Sequence, residues 1–252
     1  MPSSPDHEPE PRWREPNTDP VPDPSPRRPV EPVLLEGRWA RAEPLDVATH
    51  EAALWAEASR PEAGPSWDWL PYGPFPDEVA YRTHLERQAA SPDPRFFAIV
   101  PRATGNAAGV ASLMRIEPAM ACAEIGGIWF GPSLQDSPAA TEGLFLLIDH
   151  VMTTLGYRRM EWKCNAANGP SRRAAARLGF RFEGIFLQHL IVKGRNRDTA
   201  WFSILDGEWP RLRAAYETWL APANFDPDGR QRTRLSELTR PAAERLSGHP
   251  SQ

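Results

Sequence analysis

The chain is poor in cysteine: 252 residues hold two, Cys122 and Cys164. Two distant thiols exclude a disulfide framework and provide no CxxC pair for a metal site. They read as reduced, half-buried thiols, as in a cytoplasmic protein. Long apolar runs are also missing. No stretch approaches the roughly 18 apolar residues of a membrane span, and the N-terminus has no basic segment followed by an apolar run, so no secretory signal is expected. Excess positive charge is absent as well. Lys and Arg total 29 against 33 Asp and Glu, for a net charge of -4. Nucleic acid is therefore not expected as a partner.

Proline is abundant and unevenly placed, with eleven in the first 32 residues. The rest of that segment is mostly Glu, Asp, Arg and Ser, a composition that buries too little apolar surface to offset its ordering entropy. Residues 1–32 are thus expected to be a disordered tail, 33–222 a globular domain and 223–252 a polar C-terminal tail, with a short helix near Arg234–Leu246.

Within the domain, Val33–Ala42 reads as a strand and Leu45–Glu57 as a helix, with Leu45, Ala48, Ala52 and Trp55 near helical spacing. SWDWLPYGPFP, residues 66–76, is an aromatic, proline-rich loop. Asp77–Ala90 opens with acidic residues, as a helix N-terminus favours. Strands are expected at 95–100, 107–116 and 123–130. Ala139–Leu155 is a strongly periodic helix: Leu144, Leu147, Ile148, Val151, Met152 and Leu155 share one face. Ser137 suits its N-cap, Pro138 its first position and Gly156 its C′ stop. A strand at 158–163, a helix at 170–178 and a hairpin of 181–192 with 198–205 follow. Antiparallel strands thus precede an alternating α/β half.

Two features point to chemistry. The loop GPSLQDSPAA, residues 131–140, joins a strand to the strong helix, where unpaired amides and the helix dipole favour an anion such as a diphosphate. After the next strand comes the block Asn168, Ser171 and Leu178-Gly179-Phe180, in which Pro170 suits a first helical position and Gly179 with Phe180 a helix stop. Together with Glu124-Ile125-Gly126, Thr141-Glu142, Leu155-Gly156-Tyr157 and the late segment KGRNRDTAWFSIL, these resemble the GNAT superfamily of N-acetyltransferases, in its RimJ/RimL-type branch. The resemblance spans about 33–210 and is strongest over 124–205.

The resemblance implies an α+β three-layer fold: a mixed, mostly antiparallel twisted sheet of about seven strands, splayed in the middle and flanked by about four helices. It implies acetyl-CoA as co-substrate, with pantetheine between strands 123–130 and 158–163. Ile128, Trp129 and Phe130 would meet pantetheine; Gln135, Asp136, Ser137, Ala139, Ala140 and Thr141 would hold the pyrophosphate. Asn168 and Ser171 would touch the cofactor's far side or its thiol, and Arg172, Arg173 or Arg177 would meet the adenosine phosphate, Arg172 first among them. The family's loop is Gln/Arg-x-x-Gly-x-Gly/Ala, and Pro138 stands where glycine is usual. One amide donor is therefore missing.

The implied reaction is direct acetylation of a primary amine, on a protein N-terminus or a small molecule. Glu124 is the candidate base, acting through water, and Ser171 the candidate acid for the thiolate. No tyrosine occurs in 158–192 to take the acid role that a tyrosine sometimes holds in this branch. Trp67, Trp69, Tyr72, Phe75 and His189 are the candidate acceptor pocket. The alternative reading is a non-catalytic acyl-CoA-binding or sensor module.

Overall fold

The computed structural model describes residues 20–240. Eight strands form one sheet in the order β1-β2-β3-β4-β5-β6-β8-β7. They are β1 (Leu35–Glu36), β2 (Ala40–Pro44), β3 (Arg95–Pro101), β4 (Gly109–Glu117), β5 (Cys122–Phe130), β6 (Arg159–Asn165), β7 (Arg181–Val192) and β8 (Arg195–Leu205). All neighbours are antiparallel except β5 and β6, which are parallel. The helices are α1 (Val47–Ala58), α2 (Glu78–Ala89), α3 (Pro138–Asp149), α4 (Gly169–Arg177), α5 (Trp209–Leu220) and α6 (Leu235–Thr239).

Strand alternation sorts side chains between two cores. On β3, Phe97 and Ile99 face the α3 layer, whereas Ala98 and Val100 face α1 and α2. The larger core takes its apolar stripe from Leu144, Leu147, Ile148 and Val151. The strong helix departs from its expected extent. Its α-helical part ends at Asp149, and His150–Thr154 continues as a π turn before Gly156 at φ +69°.

The first expected strand is in fact two, β1 and β2, joined by a turn that Glu142 organises. The Glu142 carboxylate, buried on α3, accepts from the amides of Arg38 (3.0 Å) and Ala40 (2.7 Å), and from Trp39 between them. Gly37 is required beneath it, because a Cβ there would stand 2.4 Å from that carboxylate. The loop at 66–76 is partly helical, with a 3₁₀ segment over Pro61–Trp69.

Three further findings differ from the sequence reading. Helix α5 was not anticipated, although Trp209, Leu212, Tyr216, Trp219 and Leu220 are buried along it at helical spacing. Residues 20–32, expected as a solvated tail, lie against the domain. Val30 is buried, Arg27 Nε donates to Gly156 O at 2.8 Å, and Tyr157 Oη donates to Arg28 O at 3.1 Å. Residues 222–240, expected as part of a polar tail, form a packed arm. Leu235 is fully buried, and Asn224 ties the arm together through Trp219 O, Thr233 O and Thr233 N. Composition misleads in both places because one apolar anchor and a few backbone bonds suffice to hold an otherwise polar segment. Of the helix expected at 234–246, α6 covers only Leu235–Thr239 and ends at an extended Arg240; residues from 241 lie outside the described residues.

Candidate active site

Strands β5 and β6 pair only at Cys122–Arg159, Ala123–Met160 and Glu124–Glu161. Beyond Glu124 they separate. β5 stays bonded to β4 and β6 to β8, so the peptide groups between them face a gap. This gap is the middle of one cleft of about 1610 Å³ that runs across the molecule.

At one end of the cleft lies the loop before α3. Asp136 takes φ +54°, a left-handed conformation that turns successive amides to one side. Ser137 caps α3: its Oγ accepts from Ala140 N at 3.0 Å, and Pro138 follows at the first helical position. Thr141 N is bonded to Ser137 O. The amides of Asp136, Ser137 and Ala139 remain without a chain partner among the described residues. Gln135 braces the loop by donating from Nε2 to Phe130 O at 2.9 Å. Asn168 caps α4 through Ser171 N at 3.0 Å.

Cations gather at this end. Arg177 donates to Thr141 Oγ1 at 3.1 Å and lies over the Trp219 ring, and burial lowers its pKa. Arg173 lines the cleft too, and so do Arg230, Arg232 and Arg234 from the C-terminal arm. Arg172, the arginine favoured from sequence, is turned away: it donates to Ala166 O and lies against the Phe182 ring. The Ala139 side chain packs into the core, so only its amide is available.

Ser171 sits beside the gap. Its Oγ accepts from Trp162 Nε1 at 3.0 Å, and its own proton can be donated, with the Cys164 sulfur within reach. Cys164, its neighbour, is buried, and burial raises the thiol's pKa, so it is a poor nucleophile.

The other end is built from side chains. Glu124 is 4% exposed, with Oε2 2.9 Å from Lys163 Nζ and 3.2 Å from Arg115 Nε. These are ionic contacts rather than aligned hydrogen bonds. Burial pushes the Glu124 carboxyl up, outweighing the pull of Lys163 and then Arg115. Lys163 also contacts Glu161 at 2.6 Å and lies 4.0 Å from the Trp201 ring centroid. Glu161 continues to Arg159, which binds Glu183.

Two β-bulges flank this cluster. Arg115 takes φ +48° in β4, its amide held by Asp93 Oδ1 at 2.9 Å. Gln188 takes φ +50° in β7, its amide held by Asp198 Oδ1 at 2.7 Å. A left-handed non-glycine residue costs roughly 1–2 kcal/mol, and bulges of this kind re-aim neighbouring side chains. Arg115 is thereby brought to Glu124, and His189 faces the cleft with Nδ1 3.0 Å from Thr199 Oγ1.

Of the expected acceptor wall, Trp69, Tyr72 and His189 line the cleft. Trp67 and Phe75 do not. Trp67 stacks on Trp129 at 4.7 Å and meets Phe75 edge-on, so the buried Trp67 and the half-buried Phe75 form the backing of the loop. The loop is tied to the tip of the β7–β8 hairpin: Lys193 Nζ donates to Gly73 O at 2.7 Å and Trp67 O at 2.9 Å. Lys163, Arg115, Arg197 and the C-terminal arginines were missed from sequence, because a charged residue on a strand or tail reads as solvated. The available signal was the alternation of Arg159, Glu161 and Lys163 with the buried Met160, Trp162 and Cys164.

A family model described as an acetyltransferase (GNAT) domain matches residues 42–181, more than half of the chain. The chain belongs to the GNAT acetyltransferase family. A GCN5-related N-acetyltransferase from Brucella melitensis is 50% identical, with a TM-score of 0.84 over 85% of this chain and 97% of that one. An N-acetyltransferase p20 of Bacillus licheniformis is 31% identical over 113 residues, which span 45% of this chain and 63% of that relative. A RimL ribosomal-protein acetyltransferase is 22% identical, with a TM-score of 0.58 over 69% of this chain and 94% of that one, a likeness of fold alone. The GNAT sheet, expected with about seven strands, has eight because its first strand is a hairpin. Among the described residues no group of His, Cys, Asp and Glu is placed to hold a metal, and no helix is long and apolar enough to cross a membrane.

Proposed function

We propose that this GNAT protein transfers an acetyl group from acetyl-CoA to the nitrogen of a primary amine. The observation that carries the reading is the gap between β5 and β6, continuous with the free amides before α3. A pantetheine arm fits such a gap because strand peptide groups that have lost their sheet partner need other hydrogen bonds. The amides of Asp136, Ser137 and Ala139, with Arg173 and Arg177, suit a diphosphate. Pro138 removes one donor, and the arginines of the C-terminal arm supply compensating charge. Two unpaired cysteines are consistent with a cytoplasmic setting.

In the proposed reaction the amine nitrogen bonds to the thioester carbonyl carbon and the carbon–sulfur bond breaks. The amine proton passes to Glu124 through water, and Ser171 donates to the departing thiolate. A buried Glu124 with a raised pKa is a better proton acceptor than an ordinary carboxylate. Its pairing with Lys163 keeps it ionised and oriented.

The testing experiment is calorimetric titration with acetyl-CoA and with free CoA, followed by CoA release in the presence of an amine panel. One-to-one binding below millimolar concentration and amine-dependent release are expected. Binding without release from any amine selects the acyl-CoA sensor reading, which Pro138 favours. No binding at millimolar acetyl-CoA rejects both.

A further inference from the structure

Arg197 stands apart from the other cations near Glu124. Lys163 is committed to Glu124 and Glu161, Arg159 to Glu161 and Glu183, and Arg115 to Glu124. Arg197, on β8, is half-buried and lines the same cleft, yet its Nε is fully buried without a hydrogen-bond partner. No carboxylate among the described residues pairs with it. The adjacent Asp198 is taken up by Gln188 N and Asn196 Nδ2. A buried guanidinium N–H without an acceptor is costly, and the cost is recovered when an anion enters.

The position narrows the anion. Arg197 is close enough to Glu124 and Arg115 for both to act on its charge. Thr199, two residues along the same strand face, holds His189, which also lines the cleft. An anion at Arg197 therefore sits on the acceptor side of the gap, away from the amides before α3. The chamber's outer side is bounded by Trp69, Leu70 and Tyr72 of the loop and by Leu190 and Val192 of the hairpin, and Lys193 stitches these two walls together. That closure suits a small molecule better than a polypeptide end.

We infer that the acceptor is a small amine bearing a carboxylate close to its nitrogen, as in an amino acid, with Arg197 as the group that binds the carboxylate. The planar guanidinium matches a carboxylate through two parallel N–H bonds. The inference rests on the acetyl-transfer reading and narrows its substrate class. A site built to bond a polar group rejects analogues that lack it, since its own buried donor is then left unpaired.

The test uses the full chain at saturating acetyl-CoA with matched acceptors: L-phenylalanine against phenethylamine and L-phenylalaninamide, and L-leucine against 3-methylbutylamine. In at least one set the carboxylated member is expected to show a kcat/KM about tenfold or more above its partners. Arg197→Gln is expected to shrink that ratio to within about threefold through KM, and Arg197→Lys, which keeps charge without the planar fork, to give an intermediate ratio. Calorimetry of N-acetyl-L-phenylalanine against N-acetylphenethylamine on the CoA-loaded protein gives a readout without turnover, and the carboxylate is expected to bind more tightly. Equal or better use of the partners that lack the carboxylate overturns the inference. So does a ratio insensitive to Arg197→Gln, or no acetylation of any member by a protein that binds acetyl-CoA. Failure to bind acetyl-CoA removes the donor reading itself, and the inference with it.

Discussion

At one end of the cleft main-chain amides face the cavity, with arginines around them. Asp136, Ser137 and Ala139 present the amides because a left-handed residue, a serine cap and a helix start follow one another within a few positions. At the other end the facing groups are side chains from distant segments: Arg115 on β4, Glu124 on β5, Lys163 on β6, His189 on β7 and Arg197 on β8. The first arrangement depends on local conformation and tolerates sequence change. The second is an electrostatic network held by tertiary contacts, where one substitution strands its neighbours. The two ends should therefore respond differently to mutation: the amide end by graded loss of affinity, the side-chain end by loss of stability or turnover.

Lys163 offers the largest break. Its ammonium is 5% exposed and lies between Glu124 and Glu161. Lys163→Met leaves the buried Glu124 and the half-buried Glu161 without their shared partner, and removing one member of a buried ion pair typically costs about 3–5 kcal/mol. A fall in unfolding free energy of that size is expected by urea titration. A change under about 1 kcal/mol would mean that water solvates this cluster far more than its burial indicates.

Glu124→Gln comes next. It keeps shape while removing the proton acceptor, so turnover should fall about 100-fold or more. Acetyl-CoA affinity, set at the other end, should stay within about threefold. In the unmodified protein the carboxyl is raised above its usual value, so protonation disables it at a higher pH than for an exposed glutamate. kcat/KM should accordingly decline as pH falls through a value above the ordinary carboxylate range, and this limb should vanish in the variant. Parallel losses of turnover and affinity would show that Glu124 shapes the whole cleft rather than moving a proton.

The same contrast explains how much was legible from sequence. The stretch 123–182 was readable because caps, helix periodicity and a C′ glycine are local signals: Ser137, Pro138 and Gly179 lie where their chemistry predicted. Glu124 was readable only through family resemblance. Its partners were not. Lys163 and Arg197 sit on strands whose outward face would ordinarily be solvated, and only the covering loop makes that face an interior. Trp67 and Phe75 were misplaced for a related reason, since an aromatic-rich loop does not reveal which rings face the cavity and which back it. Arg172 and Arg173 are neighbours on one short helix, so choosing between them required its exact rotation. Helix α5 had a readable apolar stripe, but it lies beyond the segments that carry the resemblance. The arm at 222–240 has few apolar residues, and its order depends on Asn224 and Leu235 finding partners far along the chain.

That arm extends the cationic end of the cleft with Arg230, Arg232 and Arg234, exposed and free of ion pairs among the described residues. Converting Arg232 and Arg234 together to Ala should weaken acetyl-CoA about tenfold at low salt, with little change in turnover at saturation. The effect should shrink as salt is raised, because exposed charges are screened within roughly 10 Å at 0.1 M. An affinity unchanged at low salt would assign the arm a packing role alone.

The smallest expected effect concerns the stitch across the acceptor chamber. Lys193 Nζ donates to Trp67 O and Gly73 O, the carbonyls of a loop that otherwise rests on its own aromatic cluster. Lys193→Met retains the aliphatic stem and removes two charge-assisted bonds at a partly exposed site, a loss of about 1–2 kcal/mol in holding the loop closed. The fold should persist, because Trp67, Phe75 and Tyr81 pack without it. The consequence should appear as faster proteolysis near Pro71–Pro74 and a several-fold rise in acceptor KM, while acetyl-CoA affinity at the distant amides stays unchanged. An acceptor KM that stays fixed while the loop becomes protease-sensitive would separate the loop's mobility from substrate binding. Recognition would then rest on the charged residues beneath the loop, and the two ends of the cleft would be more alike than their construction suggests.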